Sequence, residues 1–227
     1  QTARENIMAT TTLNPPDQIV TGKLDIRVTR VPRTRAMPKA SELGFGRIFT
    51  DHMFAIDYEE GRGWFDARIV PHGPIALDPG ASALQYGQAM FDGCKAFRAR
   101  DGRILFFRGR RHAARLSEGA PRLGMVAPDP ETVHRAMTAL IHFERDWVPS
   151  EPGTSLYVRP TLIGTEGFLG VRAGRKYLFY VILSPVGAYY PEGMAPVKIL
   201  VVDQYVRAVD GGVGGAKTMI ERTQERF

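Results

Sequence analysis

The sequence predicts an α+β fold. Three observations carry this: β-prone runs outnumber helical ones before residue 185, the two kinds occur in mixed order, and one long segment, Pro130 to Trp147, has clear helical spacing. A stretch dense in proline and glycine, Pro185 to Pro196, then separates this unit from a glycine-rich C-terminal region. The expected organisation is an extended leader over 1–42, a small α+β domain over 43–184, an interdomain linker over 185–196 and the start of a second domain over 197–227.

The leader holds Pro15-Pro16, Pro32 and Pro38, so only one strand, Leu24 to Val31, is expected in it. Its first twelve residues are polar, lack an apolar signal core and include Met8, a candidate start. Ile48 to Ile56 is apolar and leads into acidic, glycine-bearing Asp57 to Gly63, a strand and turn with Trp64 to Ile69 returning. Pro71, Pro74 and Pro79 space out a loop, and Ala81 to Phe91 is expected to form a short helix. Asp101-Gly102 between Gly93 to Arg98 and Ile104 to Arg108 is a hairpin signal. Gly109 to Leu123 reads as a helix stopped by Gly124. In Pro130 to Trp147, Val133, Met137, Leu140, Ile141 and Glu144 share a face, Asp129 is the N-cap and Pro149 ends the segment. Strands follow at Ser155 to Ile163, Tyr177 to Ser184 and Val197 to Asp203.

A chain of 227 residues with 44% hydrophobic and 24% charged residues is that of a globular protein. No run approaches the roughly 18 apolar residues of a membrane span. The single cysteine, Cys94, excludes an intrachain disulfide, fits a cytoplasmic location and is expected to be a small buried hydrophobe. The net charge of +6 is spread from Arg4 to Arg226, without zinc spacing or stacking motifs. Acidic small molecules are therefore the expected partners, with no nucleic acid, membrane or metal.

Gly211-Gly212-Val213-Gly214-Gly215-Ala216-Lys217-Thr218 has four glycines in eight residues, which lets backbone pass close to a ligand. Lys217 at its end is either a phosphate clamp or a nucleophilic amine. The stretch nearly satisfies a nucleotide-binding phosphate loop, with Ala216 where that motif has glycine. As a nucleophile the amine must lose its proton, which burial or nearby cations favour.

Six stretches, in order, resemble branched-chain amino acid aminotransferases, which are fold-type IV pyridoxal-phosphate enzymes. They are Phe49-Thr50-Asp51-His52-Met53, Leu84-Gln85-Tyr86-Gly87, Phe91-Asp92-Gly93-Cys94-Lys95-Ala96-Phe97, Ser155-Leu156-Tyr157-Val158-Arg159-Pro160, Pro185-Val186-Gly187-Ala188-Tyr189-Tyr190-Pro191 and the Lys217 loop. The resemblance implies a small domain followed by the beginning of a barrel-like large one. It implies pyridoxal 5'-phosphate as cofactor, a homodimer, and amino-group transfer from leucine, isoleucine or valine to 2-oxoglutarate. By it Lys217 is the Schiff-base lysine and proton shuttle, and Arg115 contacts the cofactor phosphate. Phe45, Tyr86, Phe91, Tyr157 and Tyr189 would wall the substrate pocket, with Arg159 on the substrate side.

Asp92 departs from the family's usual glutamate, and Thr218 to Phe227 from its Gly-Gly-Asn-Tyr run. The resemblance therefore implies a C-terminally truncated, inactive form. The alternatives are a catalytically dead fragment or binding module, a phosphate-loop protein and, within fold type IV, a D-amino acid transaminase or aminodeoxychorismate lyase.

Overall fold

The computed structural model describes residues 12–14, 18–21, 24–33, 36–187, 196, 198, 201 and 208–219. Among them ten strands form one sheet: β1 Thr12–Asn14, β2 Gln18–Thr21, β3 Leu24–Val28, β4 His52–Glu59, β5 Gly63–Pro71, β6 Ala89–Phe91, β7 Cys94–Arg98, β8 Ile104–Phe106, β9 Ser155–Gly164 and β10 Lys176–Val186. The order is β1-β2-β3-β5-β4-β10-β9-β7-β8, with β6 also on β9. Only β3 and β5 run parallel; the other pairs are antiparallel.

Side chains alternate across a strand, so the sheet has two distinct faces. On β9, Leu156, Val158 and Leu162 join Phe179, Val181 and Leu183 of β10 in the main core. Two helices, α2 Gly109–Gly119 and α3 Pro130–Phe143, cover this face with Ala113, Leu116, Val133, Met137 and Leu140. Tyr157, Arg159, Thr161 and Ile163 belong to the opposite face, where Ala55, Ala89, Ile163 and Leu178 form a smaller cluster. The α+β expectation holds, with helices gathered on one side of a mostly antiparallel sheet.

Local signals explain most boundaries. Asp129 caps α3 by accepting from the Thr132 N–H at 3.0 Å. α2 gives way to a 3-10 turn over Ala120–Leu123 because Pro121 cannot donate, and Gly124 closes it at φ 63°. The hairpin of β7 and β8 lies where Asp101-Gly102 places it. Two expectations need correcting. The segment read as a leader carries β1, β2 and β3, and β3 pairs with β5. The helix expected over Ala81 to Phe91 is only α1 Ser82–Tyr86, because Gly87 at φ 61° ends it and Ala89–Phe91 joins β9. Most of the strand expected at Val197 to Asp203, and Tyr189 of the linker, lie outside the described residues.

The motif Thr50-Asp51-His52 proves to be a structural pin. The His52 Nε2 accepts the Val31 N–H at 3.0 Å, so Nδ1 carries the proton and donates to the buried Glu144 carboxylate at the end of α3. Asp51 accepts the Trp147 indole N–H at 2.9 Å. Arg30 over Phe143 and Arg33 over Trp147, each 4.7 Å from the ring centroid, hold residues 29–33 to the same place.

Candidate active site

The site grows from one interruption. β6 and β7 lie end to end along β9 in a continuous register, from Phe91↔Thr161 to Cys94↔Val158. Pro160 sits opposite the gap: its carbonyl accepts the Asp92 N–H at 2.9 Å, but it has no N–H to return. The tripeptide Phe91-Asp92-Gly93 thus sends Phe91 and Gly93 to the open face and Asp92 to the helical face.

Lys217 docks on the open edge of β6. The Phe91 N–H donates to the Lys217 carbonyl and the Met219 N–H to the Ala89 carbonyl, both at 3.1 Å, with Met90 opposite Thr218. This register places the Lys217 Nζ 5.3 Å from the Phe91 ring centroid and Met219 against the smaller cluster. Arg159 lies on the same ring, its guanidinium carbon 4.4 Å from the centroid. Its Nε and Nη2 donate to the Tyr157 hydroxyl at 3.2 and 3.0 Å, and Phe45 meets Tyr157 edge-on at 5.0 Å. Gly93 makes this possible, since a Cβ there would lie 2.0 Å from the Tyr157 hydroxyl.

On the helical side, the Asp92 carboxylate is fully buried. Arg115 donates from Nε to Oδ2 and from Nη2 to Oδ1, both at 2.6 Å, and His112 Nδ1 lies 3.1 Å from Oδ1. Spacing of three residues on α2 puts His112 and Arg115 on one face above it. Burial pushes the Asp92 carboxyl up, but bonds from His112, Arg115 and the Gly93 N–H outweigh it and hold the group down at about 2. Bonding to Asp92 raises the Arg115 pKa in turn. Cys94 is buried as expected, and burial followed by the Asp92 charge pushes its thiol well up, which leaves it inert.

Between the Lys217 segment on β6 and β8 on β7, residues 92–95 have no strand partner on that edge among the described residues. The Lys217 segment ends at one side of this gap, and the half-exposed Arg115 guanidinium bonds to Asp92 within it from the helical side. Lys217, Phe91, Arg159, Tyr157 and Phe45 come together; Arg115 reaches the same strand from its other side. Tyr86 makes its contacts elsewhere, with its hydroxyl on the Leu169 carbonyl and its ring 6.5 Å from Phe168.

Sequence reasoning missed Arg122, which donates to the Gly212 carbonyl from Nη2 at 2.8 Å and from Nε at 3.3 Å and also holds the Gly211 carbonyl. It missed His112 and the work of Asp92 too. Ala216 is buried against Gly119, where a Cβ would meet it at 3.6 Å, so it is a packing residue of the loop. A phosphate loop would open a helix after its lysine, whereas Lys217 runs into the β6 ladder.

The sequence is similar to those of known aminotransferases. Branched-chain-amino-acid transaminase 1 of Bacillus subtilis (strain 168) is 54% identical over 182 residues, which are 80% of this chain and 51% of that protein. Branched-chain-amino-acid aminotransferase 2 of the same organism is 46% identical over 196 residues, 86% and 54% of the two chains. This chain is homologous to these aminotransferases. It spans about half the length of the curated relatives it matches. A solved aminotransferase from Brucella abortus bound to the co-factor PLP aligns at a TM-score of 0.46 and 20% identity, over 74% of this chain and 54% of that one, too loose a likeness to bear on function. No protein-family model matches.

Proposed function

We propose that the chain carries the cofactor lysine and phosphate arginine of a fold-type IV branched-chain amino acid aminotransferase that uses pyridoxal phosphate. The docking of Lys217 beside the Asp92–Arg115 pair carries this reading. The residues fit the group: a primary amine for its aldehyde and a half-exposed guanidinium for its phosphate. When bound, the cofactor supplies a ring that withdraws electrons from the substrate carbon. Lys217 would take the α-proton of the amino acid and hand it on within the same half-reaction, and run the transfer in the opposite direction in the second. Arg115 anchors phosphate; Arg159 faces the carboxylate end of the substrate; Phe45, Phe91 and Tyr157 exclude water around its apolar side chain. Tyr189 completes the wall by resemblance, and Tyr86, whose contacts in this chain lie with Leu169 and Phe168, would join it by resemblance alone.

The names of the homologues support leucine, isoleucine and valine as amino donors, and 2-oxoglutarate as acceptor follows from the resemblance. On this reading residues 43–184 are a small domain, 185–196 a linker and 197–227 the beginning of a second domain, in a cytoplasmic homodimer. Among the described residues no helix is long and apolar enough to cross a membrane.

Pyridoxal phosphate followed by borohydride reduction tests the assignment. Mass spectrometry should find the reduced adduct on Lys217 ahead of Lys39 and Lys176, and Lys217→Ala should remove it. Equal labelling of all three lysines would sink the assignment.

A further inference from the structure

Asp92 is a fully buried carboxylate in the gap between β6 and β7, where the neighbouring core positions Met90 and Cys94 are not charged. Desolvating such a charge opposes folding unless every lone pair is engaged. Here three side-chain and backbone donors converge on it: the Arg115 guanidinium through two nitrogens, the His112 Nδ1 and the Gly93 N–H. A core needs no such group for packing, and an apolar residue of similar size would fill the space.

The geometry of the pair shows what the carboxylate adds. Arg115 engages Asp92 through Nε and one Nη2 proton, which fixes the guanidinium plane. Its Nη1 is left on the outer side of a side chain that remains 50% exposed. A half-exposed arginine on a helix ordinarily samples many rotamers, and each must be given up when a ligand binds. His112, one turn earlier on α2, has Nδ1 on Asp92 and its other nitrogen, Nε2, on the far side of a ring that is 23% exposed.

We propose that Asp92 is a positioning residue that aims Arg115, with His112 beside it, at the phosphate of the cofactor. The proposal rests on the function assigned above. It predicts that Asp92 acts on ligands that carry phosphate and only through Arg115.

The test compares pyridoxal phosphate with pyridoxal, which has the same aldehyde ring but no phosphate, by borohydride trapping on Lys217 of the full 227-residue chain. Trapping records weak occupancy and needs no turnover. In the unaltered chain, half-labelling of Lys217 should need at least about tenfold less pyridoxal phosphate than pyridoxal, as expected for one charge-assisted contact. Asp92→Asn should raise the pyridoxal phosphate requirement by about tenfold and leave that for pyridoxal within about twofold. Arg115→Met should do the same, and the double variant should be no worse than Arg115→Met alone.

A merely structural Asp92 would weaken both aldehydes equally, or its effect would add to that of Arg115→Met; either result overturns the proposal. Should Asp92→Asn fail to fold, the unaltered chain still decides. The Arg115 Nε–H resonance, held by Asp92, should move on adding pyridoxal phosphate and stay put with pyridoxal, and a resonance indifferent to both overturns the proposal. Lys217 labelled selectively but unaffected by Asp92→Asn would remove this inference alone. Lys217 no more reactive than Lys39 would remove the functional reading and this inference with it.

Discussion

At the scale of single residues, the site depends on one missing methyl group. The Tyr157 hydroxyl occupies the space above Gly93 and there accepts both Arg159 donors. Gly93→Ala must displace that ring, since the new Cβ would sit 2.8 Å from the phenol carbon as well as 2.0 Å from its oxygen. Overpacking of this kind costs about 1–3 kcal/mol, and Phe45 loses its edge-on partner. Thermal unfolding should show the lower midpoint and near-ultraviolet circular dichroism a weaker tyrosine signal; an unchanged spectrum would mean that Tyr157 does not lie over Gly93. Asp92 is one residue away and follows a different logic, since its neighbours are chosen for charge rather than size.

At the scale of elements, β4, the end of α3 and residues 29–33 are joined through His52. Its ring lies between the Val31 N–H and the Glu144 carboxylate, and both side chains are almost fully buried. His52→Ala leaves Glu144 buried without its donor, which for a broken buried pair costs about 3–5 kcal/mol. Chemical denaturation of His52→Ala should show that loss, whereas an exposed pair such as Arg110 and Glu131 should contribute under about 1 kcal/mol when Arg110→Ala removes it. Equal effects at the two positions would refute the pin. α2 plays a comparable joining role for the site, because it carries Arg115 toward Asp92 and leads through its 3-10 extension to Arg122 on the glycine loop.

At the scale of the whole molecule, Asp92 ties stability to acid. Its folded pKa is held at about 2, below the ordinary 3.8, so the native state favours the ionised form. The stabilisation is complete above about pH 4 and is lost as pH falls through about 2, where both states are protonated. A shift of this size corresponds to about 2 kcal/mol. Acid titration of unfolding free energy should therefore fall more steeply between about pH 4 and pH 2 in the unaltered chain than in Asp92→Asn, which keeps only the smaller contributions of carboxyls such as Asp101, Asp129 and Glu166. Parallel curves would mean that the carboxylate is no better paired in the native state than in the unfolded one. The open sheet face carries the small apolar cluster of Ala55, Ala89, Ile163 and Leu178, beside which Arg68 pairs with the half-buried Asp57.

Local chemistry by itself determined the α+β class, the capped helix from Pro130, the Asp101-Gly102 hairpin, the burial of Cys94 and the choice of Lys217 as the residue to watch. Each depends on periodicity, a cap or a turn within a few residues, and such signals survive in sequence. The resemblance added Arg115, Phe45, Phe91, Tyr157 and Arg159, and the tertiary structure alone decided how they stand. Whether Asp92 faces the helices or the open side depends on its register against Pro160, sixty-eight positions away. Arg122 reaches the glycine loop across ninety residues, which no local pattern encodes. β1 to β3 joined the sheet because β5 offered them an edge, while their proline-flanked sequence suggested only one strand. Short-range propensity fixes what a segment can become, but the pairing of distant backbone groups fixes which side of the sheet its side chains serve.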